Sequence, residues 1–397
     1  MTSSKPGGLH SGWRAYQQKM PGRTSRGVAS RVTAGQASGG RGARQRAADV
    51  HRRPVPVACA AMVDGRRPTL EEVAAAAGVS RGTASRALSG GKNVSPKALA
   101  AVGRAAAELG YRPNLAARSL VLRRSGALGL VVSESWDRVF AQPYFADIVR
   151  GVNDELAESG TQLLLAIVRN DEERRQFVRF GAGIHLDGAL LVSFATADPF
   201  AESLEAAGVP VVAAGRGRFV RYSVDVDNRG GARRAVERLL AGGRRRIATI
   251  AGPGELAVSK DRLAGWRDAL RGAGIEPDRT LVEVGDYGQP SGRTAAQRLL
   301  ERAPDIDGLF AASDLMAFGA LEALAAAGRR VPDDVAVIGF DNVPAAADAA
   351  PPLTTIAQPV VETGRAMTRL LLARLAGEAT DETHTVLPTG LVERASA

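Results

Sequence analysis

Residues 69–88 read TLEEVAAAAGVSRGTASRAL. Thr69 and Glu72 stand at the S/T-x-x-E spacing of a capping box, so a helix is expected to open at Leu70. Leu70, Val73 and Ala77 give that helix one apolar stripe at three- and four-residue spacing. Gly78 ends it, and Ser80 can cap a second helix soon after. The second helix is peculiar. Gly82 costs about 1 kcal/mol in a helix interior. Ser80, Thr83 and Ser85 favour caps and turns over helix. Arg81 and Arg86 share the polar side, leaving Ala84, Ala87 and Leu88 to face inward. Downstream, Ser95-Pro96 opens a third helix, with proline where its missing N–H costs nothing. Leu99, Val102, Ala106 and Leu109 form its expected inner stripe, and Gly110 closes it. Residues 66–112 therefore read as a small all-α domain.

The charge is distributed unevenly. Residues 1–61 carry 11 Lys/Arg against one Asp, and 62–125 carry 11 against four acidic residues. The remainder has 30 basic and 37 acidic residues. A basic front on a mildly acidic body points to a polyanion partner for the front alone. In a helix–turn–helix the second helix enters the major groove. Arg81 and Arg86 are then expected at guanine edges. Ser80, Thr83 and Ser85 offer hydroxyls to phosphates, as does Thr69 with the unpaired N–H groups of its helix start. Gly82 leaves one position of that face without a side chain, and Asn93 joins the same DNA-contacting set. Residues 1–61 lack apolar periodicity and read as a disordered basic extension. Met62, directly before the first helix signal, is an alternative start.

From residue 126 onward, strand and helix patterns alternate. Apolar strand candidates at 127–132, 162–168, 188–193, 209–213, 246–251, 307–311 and 335–339 are separated by helical patterns. Such alternation predicts α/β architecture with parallel sheets covered on both faces. The region is long enough for two lobes, with the charged stretch 221–228 as crossover. One Cys and four scattered His leave no disulfide framework and no metal-ligand spacing. No apolar run reaches membrane-span length and no signal peptide is visible, so a cytoplasmic protein is expected. Gly252-x-Gly254-x-x-Ala257 follows a strand in the manner of a dinucleotide fingerprint. Pro253 between the glycines and the missing acidic residue about 20 positions on argue against that use. With no catalytic motif, neither an enzyme nor a cofactor is expected.

The stretch 69–120, running from TLEEVAAAAGVSRGTASRAL to GYRPNLAARSL, resembles the DNA-binding headpiece and hinge of the LacI/GalR repressor family. The resemblance implies that Asn114–Leu120 folds as a hinge helix on a palindromic operator. Leu120 would wedge into a minor-groove base step, an intrusion that costs a few kcal/mol of unstacking. Arg118 and Ser119 accompany it in the same contact set. It also implies a body like a periplasmic binding protein, an effector between its lobes, and a homodimer. AGPGELAVSKDRLAGWRDAL (251–270) resembles the repressor segment with an effector-contacting arginine, here Arg262. QPYFADI places Tyr144 and Phe145 at the cleft, and GDYGQPSG places Tyr287. AASDLMAFGAL, VIGFDNVP and PPLTTIAQP bring Ser313, Asp341 and Gln358 to the carboxyl ends of strands, where open α/β sheets bind ligands. Aromatic faces with charged forks suit a carbohydrate. Ser313 stands where family members often have Asn, which withholds any particular sugar. The expected organisation is a headpiece at 66–112, a hinge at 113–125 and a body at 126–397. Lobe 1 takes about 126–225 and 360–382; lobe 2 takes about 226–357. Effector closure of the lobes would respace the hinge helices of the dimer. A solute-binding receptor and a Rossmann-like enzyme are the competing readings.

Overall fold

The computed structural model describes residues 68–88, 94–112, 125–378 and 383–397. The first helices form as the capping chemistry predicts. In α1 (Leu70–Ala76) the Glu72 N–H donates to Thr69 Oγ1, while the Thr69 N–H donates to Glu72 Oε2 at 2.7 Å. Helix α2 spans Arg81–Leu88. Helix α3 (Pro96–Leu109) is capped by Ser95 and closed by Gly110 in the left-handed conformation. Their shared core is made of small side chains: Val73, Ala74, Ala84, Ala87, Val102, Ala105 and Ala106. Leu99 departs from the expected stripe and is 51% exposed. The inward line of α3 runs through Val102, Ala105 and Ala106, with Ala98 half-buried at its start. Leu99 lies one residue, about 100°, off that line.

The body holds two six-stranded sheets. The first contains β1 (Ala127–Val132), β2 (Gln162–Ile167), β3 (Gly188–Val192), β4 (Val211–Ala214) and β5 (Ser223–Val226), joined by β11 (His384–Leu387). Its order is β11-β5-β4-β3-β1-β2, parallel throughout. The second contains β6 (Ile247–Ala251), β7 (Val282–Val284), β8 (Gly308–Ala311), β9 (Ala336–Asp341) and β10 (Thr354–Ala357), joined by β12 (Gly390–Val392). Its order is β12-β10-β9-β8-β6-β7, and only β12 runs antiparallel. Helices α4 (Trp136–Ala141), α5 (Pro143–Leu156), α6 (Asp171–Phe180) and α7 (Phe200–Ala206) serve the first sheet. Helices α8 (Asn228–Ala241), α9 (Ala257–Gly272), α10 (Gln289–Arg302), α11 (Asp314–Ala326) and the short α12 (Ala345–Asp348) serve the second. Helix α13 (Val360–Ala376) returns to the first lobe against α5. That pair closes tightly: a Cβ on Gly151 would lie 2.0 Å from the Val361 carbonyl oxygen.

Three differences from the expected pattern matter. The stretch 221–228 is not purely a crossover. Its middle is β5, buried along its length between β4 and β11. The chain changes lobe just after it, again between β10 and α13, and a third time between β11 and β12. The tail beyond 382 therefore adds one edge strand to each sheet. Finally, β2 is not covered on both faces. It is an edge strand, with Leu164 39% and Leu165 42% exposed.

Candidate functional site

Two surfaces carry polar chemistry that folding alone does not require. On the headpiece, Arg81, Gly82, Ser85 and Arg86 are exposed on α2, Thr83 is half-buried, and Ala84 and Ala87 are buried. Ser80 Oγ accepts from the Thr83 N–H at 3.2 Å and lies 2.9 Å from the Thr83 hydroxyl. A capping hydroxyl uses a lone pair and keeps its O–H, so Thr69 and Ser80 can cap and still donate to phosphate. Arg86 Nε donates to the Gly82 carbonyl at 3.2 Å, and Arg81 Nε donates to Glu71 Oε1 at 2.5 Å. The backbone N–H of Glu71 itself, then the Arg81 guanidinium, hold the Glu71 carboxyl below the usual carboxylate range. Asn93, Asn114, Arg118, Ser119 and Leu120 lie outside the described residues.

In the body, a cavity of about 460 Å³ opens between the lobes. Tyr144, Phe145, Arg262, Tyr287, Ser313, Asp341 and Gln358 all border it. They arrive from six separate elements, so only the tertiary fold brings them together. Arg262 sits on α9, 5% exposed. Its Nε donates to Asn228 Oδ1 at 2.9 Å and its Nη1 to the Ala312 carbonyl at 2.6 Å. The guanidinium stacks 3.6 Å from the centroid of Phe340 and lies 3.6 Å from Asp341 Oδ1. Gln358 Nε2 donates to that same oxygen at 2.6 Å. Burial pushes the Asp341 carboxyl well up, against the pull of Arg262.

Tyr287 packs on Gly252, where a Cβ would lie 2.3 Å from the ring, and its hydroxyl pairs with Ser259 at 2.7 Å. The first glycine of the apparent dinucleotide fingerprint is thus explained by an aromatic wall. Ser313 is 3% exposed, and its hydroxyl accepts from the Met316 N–H as the N-cap of α11. Its neighbour Asp314 is fully buried, accepting from the Thr355 hydroxyl at 2.5 Å and the Val343 N–H at 2.9 Å. Phe145 is a core residue of the first lobe as well as a cavity wall.

Backbone strain marks the same place. Among the described residues, the non-glycine positions at positive φ are Ser193, Tyr287, Asp341 and Asn342, at 57°, 68°, 127° and 57°. All four border the cavity. Such conformations cost on the order of 1–3 kcal/mol each and persist where the surroundings over-determine them.

Several cavity residues escaped sequence reasoning. Glu134 accepts from the Ser193 hydroxyl at 2.7 Å and pairs with Arg138 at 3.0 Å. Asp225 on β5 accepts from Asn228 Nδ2 at 2.8 Å, and burial raises its carboxyl. Arg216, beyond β4, reaches Asp225 in its own lobe and Asp261 in the other. Thr196 adds a second bridge, its N–H donating to the Glu255 carbonyl at 2.9 Å. An acidic residue between two valines in SVDV is the available signal for Asp225.

Comparison with known proteins matches two parts of the chain. Residues 69–114 match the lacI family of bacterial regulatory proteins, and 236–397 match the periplasmic binding protein-like domain. The HTH-type transcriptional regulator CelR of Thermobifida fusca is 50% identical over 335 residues, covering 83% of this chain and 98% of that protein. The solved structure of a CelR–cellobiose complex is 48% identical, with a TM-score of 0.67 over 83% of this chain and 100% of that one. The lac repressor dimer bound to operator and the anti-inducer ONPF gives a TM-score of 0.74 at 30% identity, over 83% and 99% of the two chains. With capped helices presenting arginines and a strained polar cleft between two parallel sheets, the chain belongs to the lacI family of bacterial regulatory proteins and is a sequence-specific DNA-binding transcriptional regulator.

Proposed function

We propose that this regulator is a repressor that binds a palindromic operator as a homodimer and is controlled by a short glucoside held between its lobes. The observation that carries the reading is the convergence of Tyr144, Tyr287, Arg262, Asp341 and Gln358 on one cavity. Its volume falls within the roughly 300–1,000 Å³ of small-molecule sites. Aromatic faces cover the C–H surfaces of a sugar, and the Arg262–Asp341–Gln358 group supplies donors and acceptors for hydroxyls. The cellobiose of the related CelR complex supports a β-linked glucose disaccharide as the first ligand to try. The cavity carboxylates are each already held by side-chain or backbone donors, which suits binding rather than turnover. Exposed Leu164 and Leu165 on the edge of the first sheet support a partner subunit, as does Val284 on β7, an edge strand of the second. A DNA partner supports a cytoplasmic location for the working protein. Among the described residues, no helix is long and apolar enough to cross a membrane.

Because both lobes border the cavity, a ligand that contacts both shifts the equilibrium between open and closed arrangements by its differential affinity. That shift is the coupling between the cleft and the DNA-reading helices. The test is a thermal-shift and calorimetric titration with cellobiose, glucose and maltose. It is paired with fluorescence anisotropy on the duplex upstream of the protein's own gene. Cellobiose should raise the melting temperature by mass action and change the anisotropy midpoint. Binding without any change in DNA affinity would refute the coupling, and no response to any sugar would refute the ligand class.

A further inference from the structure

We propose that Glu71 is a positioning residue for DNA reading: it holds Arg81 by the Nε edge, so that the guanidinium presents its two terminal amino groups to a guanine. The inference rests on α2 being the helix that reads DNA.

The two residues stand ten apart, Glu71 near the start of α1 and Arg81 as the first residue of α2. Arg81 Nε donates to Glu71 Oε1 at 2.5 Å, although both side chains are exposed, at 72% and 60%. An exposed ion pair of this kind adds little to folding, so stability does not account for it. Capping does not require the pair either: the capping-box carboxylate is the neighbouring Glu72, and the contact of Glu71 with its own backbone N–H at the start of α1 does not involve Arg81. A carboxylate on a DNA-facing surface also weakens phosphate binding at every sequence. What remains is selectivity.

The guanidinium is a planar fork with five N–H groups in fixed directions. With Nε engaged, the pair of Nη groups remains for a bidentate contact, the geometry that matches guanine O6 and N7. A long side chain held in advance also loses less rotamer freedom on binding. The burden on Arg81 is greater because its neighbour Gly82 has no side chain, while Arg86 Nε turns back to the Gly82 carbonyl. Two helices thus build one reading head: α2 supplies the arginine and α1 aims it.

The test is selection from a pool of random DNA duplexes, with sequencing of the bound fraction, for the full chain and for Glu71→Ala, Glu71→Gln and Arg81→Ala. The unaltered protein should enrich a two-fold-related motif with a guanine at one position of each half-site. Arg81→Ala should flatten that position. Glu71→Ala should weaken the same position, lowering its guanine preference by at most roughly fivefold, and leave the others unchanged. Glu71→Gln keeps an acceptor for Nε and should fall between. Thermal melting should fall only slightly, as for loss of a first-turn carboxylate, and by a similar amount in both Glu71 variants. Three results would overturn the proposal: Glu71→Ala retaining the guanine preference, Glu71→Ala and Arg81→Ala losing different positions, or Glu71→Ala binding every duplex more tightly with the same motif. An unaltered protein that enriches no motif would overturn the DNA reading itself, and this inference with it.

Discussion

The headpiece and the cleft solve opposite problems. The headpiece gathers its candidate reading residues within one short stretch of chain, and its core is almost all alanine and valine. Its large polar side chains point outward. The cleft draws residues from both lobes, and it rests on cores filled by Trp266, Phe310, Phe340 and many leucines. Its functional side chains are half-buried or buried, hydrogen-bonded to one another and placed on a strained backbone. A surface that meets a rigid polyanion needs protrusion and charge. A pocket that must recognise a small ligand needs enclosure and preorganised partners.

That contrast can be broken most forcefully at Arg262. Arg262→Ala removes the partner of Asp341 and the donor to Asn228 and Ala312 inside the cleft. Breaking a buried pair of this kind costs about 3–5 kcal/mol. Denaturant unfolding of the body should show that loss and calorimetry should show no sugar binding, while the DNA motif stays unchanged. A changed motif would mean that the two regions are not separable.

Asp341 offers a pH test. Burial raises its carboxyl above the usual range, so between about pH 4 and neutrality the folded state binds more protons than the unfolded one. This group's contribution to stability therefore falls as pH rises through that window, by at most about 1.4 kcal/mol per pH unit. Asp341→Asn removes the titration. Its stability relative to the unaltered protein should climb from pH 4 to 7 in paired melts, and a flat difference would show that the carboxyl titrates normally.

A smaller effect sharpens the other side. A Cβ at Gly82 would meet only Ser80 Oγ, at 3.9 Å. Gly82→Ala should therefore stabilise the headpiece by about 0.5 kcal/mol, at the lower end of a compatible Gly→Ala change because the position lies in the first turn of α2. It should nonetheless weaken operator binding in anisotropy titrations, because it adds bulk to the reading face. Equal or tighter binding would show that the glycine is not there for DNA approach. The smallest expected effect is at Leu99. Leu99→Gln should change the melting temperature hardly at all, within about 0.5 kcal/mol, as for other exposed positions. A large loss would restore Leu99 to the core.

Legibility in the sequence followed the same division. The capping box, the capping serines, Pro at N1, Gly at the C-cap and the small apolar stripe are local signals, so the boundaries of α1, α2 and α3 can be read directly. Strands β1, β3, β6, β8 and β9 are continuous apolar runs and are equally readable. Strands β5, β7, β10, β11 and β12 are not. SVDV, VEV, TTIA, HTVL and GLV are three or four residues long and partly polar, and they become strands only because a neighbour supplies the ladder. Helix α13 carries a readable signal outside the β/α alternation: Val360, Gly364, Met367 and Leu371 recur at helical spacing, and all four are buried.

The sequence by itself determined the three-helix headpiece, the α/β class of the body and the residue types able to meet a polyanion or a polyol, since these depend on interactions a few residues apart. Only the tertiary structure decided which side chains meet across distance. It paired Asp341 with Arg262 and Gln358, carried Arg216 between Asp225 and Asp261, and gave the tail one strand in each sheet. It also set Glu71 on Arg81, ten residues away. Each of these depends on how packed elements cross, and composition and periodicity carry no record of such crossings.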